Sequence, residues 1–203
     1  MRTHLMKELE TLKRDVLTMG AAVEEAISNA IQALRDRDRE LAEEVRARES
    51  GVNAMEVEIE EECLRILALH RPVAMDLRLV VSVFKINNDL ERIGDIATHI
   101  ARRAMILAEL PPVLLPADFG PMAERAQRML HQALDALVKG DNRLASQVCA
   151  DDSVVDEYHK KMSAIIEAQM RAQPEGVHRL AQCLAISRHL ERIADLARIP
   201  RKK

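Results

Sequence analysis

The chain has 203 residues and a formal net charge of −3, and it is 48% hydrophobic and 31% charged, enough apolar material for one large packed domain or two small ones. Aromatic residues make up only 1%, namely Phe84, Phe119 and Tyr158 with no Trp, which together with the near-balanced charge excludes a general nucleic-acid binder or a base-stacking platform. Cys63, Cys149 and Cys183 are too far apart for a disulfide frame or a thiolate zinc site, the start "MRTHLMKELE" has no signal-peptide core, and no run approaches the ~18 apolar residues of a membrane span; the expectation is a soluble, cytoplasmic protein.

Helical periodicity runs through the whole chain. In the first segment Leu5, Leu9, Leu12, Val16, Met19, Val23, Ala26, Ala30 and Leu34 alternate spacings of four and three, a coiled-coil-like seam. The charged junction "RDRD" ends it. A second segment starts near Arg39 and carries Leu41, Val45, Val52, Met55, Ile59, Cys63 and Ile66. Pro72, in "HRPVAMD", stops that segment because proline cannot donate an interior helix hydrogen bond. A third segment follows, with Leu79, Val83, Ile86, Leu90, Ile93, Ala97 and Ile100 at the same spacings.

"LPPVLLPADFGP" (110–121) holds four of the seven prolines and reads as a linker. Three more helical stretches come after it, roughly 121–139, 142–172 and 177–198, divided by "KGDN" and "QPEG". Helices of ~30 residues run ~45 Å, a length suited to rods packed side by side at shallow angles. The two halves repeat each other. "ALRDRDRELAEEVRARESGVN" (33–53) aligns with "ALVKGDNRLASQVCADDSVVD" (136–156) at an offset of 103, and "LERIGD" (90–95) with "LERIAD" (190–195) at an offset of 100. The expected fold is all-α: two tandem antiparallel three-helix bundles, residues 1–110 and 121–203, with a Pro-rich linker at 111–120.

The repeated unit also repeats an acidic pattern. Glu91 and Asp95 lie one turn apart, on a row that begins Val80, Phe84 and Asn87, beside the core stripe. Glu191 and Asp195 repeat the pair. The second helix of each half supplies a matching row, Glu49, Asn53, Glu56 and Glu60 in the first and Asp152, Asp156 and His159 in the second. Like charges so placed repel unless they share a cation, and oxygen-rich sets suit hard or borderline metals. Glu pairs inside helical bundles are one way of holding paired metal ions. The competing reading is of solvated acids with Arg92 and Arg192 as local partners, and His159 as a surface residue. There is no Gly-rich phosphate loop, no G-x-S-x-G and no H-E-x-x-H.

"VNAMEVEIEEECLRILALHRPVAMDLRLV" (52–80), "LERIGDIA" (90–97), "VVDEYHKKM" (154–162) and "SRHLERIAD" (187–195) occur in an order and spacing that resembles the PhoU family of bacterial phosphate-signalling regulators over nearly the whole chain. The resemblance implies duplicated three-helix bundles with spectrin-like packing. It also implies E/D-x-x-x-D metal motifs, which here fall on Glu91 and Asp95, Asp152 and Asp156, and Glu191 and Asp195. The remaining motif becomes Glu49 with Asn53, one carboxylate short. Divalent or multinuclear metal is implied, among Fe, Zn, Mn and Mg. Two departures stand out: Ala194 replaces the glycine seen at Gly94, and "ARIPRKK" stops the last helix at Pro200, a truncation expected to expose apolar surface on the first two helices of the second bundle.

The role implied by the resemblance is not catalytic. It couples a phosphate transporter to a sensor histidine kinase and represses the phosphate-starvation response, with the transporter's ATPase subunit, the kinase and a second copy of the chain as partners. Two alternatives stay open, a metal-dependent phosphohydrolase or oxidase using the carboxylate rows, and a metal-free helical scaffold.

Overall fold

The computed structural model describes residues 2–112 and 118–198 and places them almost entirely in helices. Seven α-helices occur among the described residues: α1 (Arg2–Asp36), α2 (Arg39–Ala47), α3 (Glu49–His70), α4 (Ala74–Glu109), α5 (Gly120–Lys139), α6 (Asn142–Ala172) and α7 (Val177–Leu196). A 3₁₀ turn, Pro174–Gly176, joins α6 to α7. No helix is long and apolar enough to cross a membrane among the described residues.

The first turn of each half has the same construction. After α1, Arg37 takes a left-handed φ of 57° and the Asp38 amide returns to the Ala33 carbonyl at 2.9 Å. Asp38 then caps α2 by accepting from the Leu41 amide at 3.0 Å. In the second half Gly140 has φ 68°, the Asp141 amide bonds the Ala136 carbonyl at 2.9 Å, and Asp141 caps α6 through the Arg143 and Leu144 amides. Glycine takes the left-handed position without strain. Arg37 carries a side chain there, and uses it to donate to the Ala108 and Leu110 carbonyls at the end of α4.

The second rod of the first half, expected to be one helix, is two. It breaks at Arg48, the last residue of one helical turn and the entry to the next, and Gly51 follows with open space around it. The corresponding α6 is continuous. The α1 seam also departs from the strict 3.5-residue spacing. Leu9, Leu12, Val16, Met19, Val23 and Ala30 are buried as expected, but Ile27 and Ile31 enter the core while Ala26 and Leu34 stay at its edge. A straight helix of 3.6 residues per turn drifts ~20° per heptad, which carries the stripe around the rod.

Helices α1, α2, α3 and α4 pack on one another, as do α5, α6 and α7. The halves also join directly, α1 on α5 and α4 on α7, and their buried side chains form one continuous core. That core is aliphatic, with Met19, Leu90, Ile100, Met129, Leu130 and Ile166 fully buried; Phe119, at the end of the expected linker, is buried too. Gly20 marks a close approach of α1 to α5, since a Cβ there would stand 2.2 Å from Leu134 Cδ1. Polar contacts stitch the other contact line. Arg103 of α4 donates to Gln182 Oε1 at 2.6 Å and to His189 Nε2 at 3.3 Å, and the His99 and His189 rings lie 5.6 Å apart. His189 is thus part of the joint between halves.

The expected apolar exposure is found on α6 but not on α5. On α6 Val154, Tyr158 and Ile165 are exposed, but no large apolar side chain of α5 is, because α5 is covered by α1 as well as α7. More apolar surface lies around the α3–α4 turn, at Leu64, Leu69, Val73, Met75 and Leu77. The predicted end of the last helix at Pro200 and residues 113–117 of the linker lie outside the described residues.

Gly20→Val should destabilise the chain by about 1–3 kcal/mol in urea unfolding, through overpacking against Leu134. Burial, then Arg103 and His99, pushes the His189 imidazole down from 6.5 to about 4. The folded state favours the neutral ring, so its stabilisation is complete above 6.5 and is lost as pH falls toward 4. The His189 imidazole signals in NMR should therefore titrate near 4; a midpoint at 6.5 would mean the ring is solvated and the joint open.

Candidate metal centre

Short cross-helix contacts bring the acidic rows together. In the first half the buried Asn87 of α4 donates through Nδ2 to the Glu56 carbonyl of α3 at 2.7 Å. Two turns further along α4, Gly94 lies against Val52, where a Cβ would stand 3.2 Å from Val52 Cγ1. These two points set α3 close beside α4, and Glu91 and Asp95 sit between and beyond them. Phe84, placed on the same row by the sequence, is exposed; the row is therefore a rim, with only Val80 and Asn87 buried in it.

Glu91 lies within electrostatic reach of three other carboxylates. Burial raises its pKa above the ordinary glutamate value, and the charges of Asp95, Glu56 and Glu49 raise it further, against Arg92. Glu49 and Asp95 are thus brought together as the sequence suggested, whereas Asn53 is exposed. Glu56 takes the role of third carboxylate. The sequence placed Glu56 on the acidic row but the i,i+4 motif skipped over it, because α3 faces α4 at positions 49 and 56, two turns apart. A groove of about 340 Å³ opens next to this cluster at the α2–α3 break, lined in part by Arg48, Glu49, Gly51, Val52, Gly94 and Thr98. A larger one of about 520 Å³ lies apart from it between α1 and α3, lined by acids and bases alike. At one end of that groove the buried Glu8 stands 2.5 Å from His70 Nε2 and 3.0 Å from Arg65 Nη1.

The second half gathers all four predicted residues. Asp152 of α6 is only 7% exposed. Burial raises its pKa, as do the charges of Asp195 and Asp156, with Arg198 opposing. Glu191 of α7 is likewise raised by burial and then by Asp195, Asp156 and Asp152. Arg198, which sequence reasoning left aside, donates through Nη1 to Asp152 Oδ2 at 2.8 Å and to Asp195 Oδ1 at 3.2 Å. Asp152 Oδ1 is buried with no hydrogen-bond partner. His159 is half-buried, not a surface residue, and its Nδ1 meets the buried Ser187 Oγ at 2.8 Å. Burial and Arg188 depress its pKa, so the ring is neutral at physiological pH and held between α6 and α7.

The donor chemistry suits a hard cation. The donors are carboxylate oxygens, they repel one another, and a buried oxygen of Asp152 lacks a partner. Among the described residues no group of three or more His, Cys, Asp or Glu side chains stands in a ready coordination geometry. A metal ion would be held by Glu49, Glu56, Glu91 and Asp95 in the first half and by Asp152, Asp156, Glu191 and Asp195 in the second, after their side chains turn inward.

Comparison with known proteins agrees with this repeated plan. The model of the PhoU domain matches residues 16–104 and again residues 120–199. The phosphate-specific transport system accessory protein PhoU homolog of Aquifex aeolicus is 38% identical over 188 residues, covering 93% of this chain and 85% of that protein. The Pseudomonas aeruginosa homolog is 39% identical over 194 residues, 94% of this chain and 79% of that one. The crystal structure of PhoU from Pseudomonas aeruginosa superposes with a TM-score of 0.88, covering 95% of this chain and 92% of that one at 39% identity. The phosphate transport system regulatory protein PhoU from Streptococcus pneumoniae gives a TM-score of 0.86 at 32% identity, covering 95% of this chain and 91% of that one.

The raised carboxyl pKa values set a pH dependence. Folding takes up protons at Glu91, Asp152 and Glu191, so their stabilising contribution is complete below the ordinary carboxylate range and is lost as pH rises through their higher folded values. Glu91→Gln and Glu191→Gln should each stabilise the metal-free chain at neutral pH by roughly 0.5 kcal/mol, the size of a relieved like-charge pair. In urea unfolding the gain should vanish near pH 4, where the native carboxyl is already protonated.

Proposed function

The chain belongs to the PhoU family, and we propose on that premise that it is a non-enzymatic cytoplasmic regulator of phosphate uptake. In this reading it docks on the ATPase subunit of a phosphate transporter and on the cytoplasmic part of a sensor histidine kinase, and represses the starvation response when phosphate is plentiful. The family match over both halves carries the reading, since it includes both acidic rows and the helices that present them. Support also comes from the names of the relatives, which are accessory and regulatory proteins of phosphate transport.

The acidic rows give the proposal a physical basis. Each lies across two helices, α3 with α4 or α6 with α7, so anything that neutralises it also ties the two helices together. A divalent cation, when bound, supplies positive charge that changes the sign of that face and fixes its side chains. We place such cations, among Fe, Zn, Mn and Mg, on the two clusters. The protein's own contribution is to hold the carboxylates at the rim of the core, where repulsion keeps them ready for a counter-charge. The exposed apolar side chains around the α3–α4 turn and on α6 add docking surface for the partners, a second copy included.

The test is co-purification of the full chain with the transporter ATPase, at high and at low phosphate. Capture in at least one condition, weakened several-fold by Glu91→Ala/Asp95→Ala or Asp152→Ala/Asp156→Ala, is the expected result; failure in both conditions counts against the role. Elemental analysis of the same preparations should find less metal in Glu91→Ala/Asp95→Ala. Phosphatase turnover by the metal-loaded chain would favour an enzyme instead.

A further inference from the structure

The two acidic clusters are chemically unequal. In the second, the Arg198 guanidinium bridges Asp152 on α6 and Asp195 on α7. In the first, the equivalent position at an offset of 100 is Thr98, uncharged and buried. Among the described residues no ion pair or side-chain hydrogen bond reaches Glu91 or Asp95. Arg92 pairs with Asp89 at 3.6 Å, and Arg102 comes only to 3.9 Å of Glu49.

We propose that Arg198 is a built-in counter-cation of the second cluster, so that a divalent metal ion enters the first cluster freely and the second only by displacing Arg198. The inference rests on the reading that the clusters hold metal. An independent observation bears on it: Asp152 is 7% exposed and its Oδ1 has no partner. The arginine holds one oxygen of that carboxylate, and the unpartnered, buried Oδ1 marks the same carboxylate as a cation ligand once Arg198 has left. The arginine is also in a position to leave. Its side chain is 48% exposed and it lies beyond the end of α7 at Leu196, so swinging it out breaks no helix. A long charged side chain and a small divalent ion then compete for the same carboxylates, and the number of metal ions per chain depends on where Arg198 points.

The experiment is calorimetric titration of the metal-stripped full chain with Mn²⁺. Glu91→Gln/Asp95→Asn removes the first cluster and should leave only weak binding. Adding Arg198→Gln to that variant should tighten the remaining site at least about tenfold. Arg198→Lys, which keeps the charge, should leave it weak. With the first cluster intact, Arg198→Gln should add a second equivalent without changing the first. Thermal unfolding supplies a separate readout: Arg198→Gln should lower the melting temperature without metal, and Mn²⁺ should restore it. If Arg198→Gln leaves the second site unchanged while Asp152→Asn/Asp156→Asn abolishes it, the arginine is no counter-cation, although the metal reading stands. If no variant binds Mn²⁺, the metal reading itself fails and this inference with it.

Discussion

Like charges held one helical turn apart at the edge of an apolar core set the terms for this protein. In bulk water the repulsion between Glu91 and Asp95 would be screened to a few tenths of a kcal/mol. The packing of α3 on α4 removes part of that screening, and the Asn87 hydrogen bond and the Gly94–Val52 contact fix how closely the helices approach. The result is a set of carboxylates that favour protonation, an arginine or a metal ion over standing ionised and alone. The same logic operates between α6 and α7, where Asp152 is more deeply buried.

The duplication preserves this constraint and relaxes others. Both halves keep an aspartate cap, a left-handed residue before it and an acidic pair on the third rod. What has diverged is how each half neutralises its acids and how its second rod is built. The first half breaks that rod at Arg48, opening a groove beside Glu49. The second keeps a continuous α6 and supplies its own guanidinium. Two copies of one unit have thus become two acidic clusters of different charge.

Both contacts between the halves mix apolar packing with polar bonds. The contact of α1 with α5 is close at Gly20 and carries Gln127 and His131 on Glu24, while that of α4 with α7 carries Arg103, Gln182 and the neutral His189. Because the core is continuous across both contacts, a change of charge at one acidic face acts on a rod that is packed against the other half.

The helical class, the duplication and the acidic motifs were legible in the sequence, because each depends on spacing along a single helix and spacing is a local property. Leu90, Ile93 and Ala97 had to lie on one face whatever they met. The Pro and Gly breaks placed most helix ends for the same reason. Which residues of those rows would meet was only partly legible. Glu56 in place of Asn53, Ile27 and Ile31 in place of Ala26 and Leu34, the arginine among the second set of acids and the histidine between the halves all depend on the register and rotation of one rod against another. Those are fixed only when the rods pack, since a helix repeats every 3.6 residues and a small rotation brings a different residue to the contact.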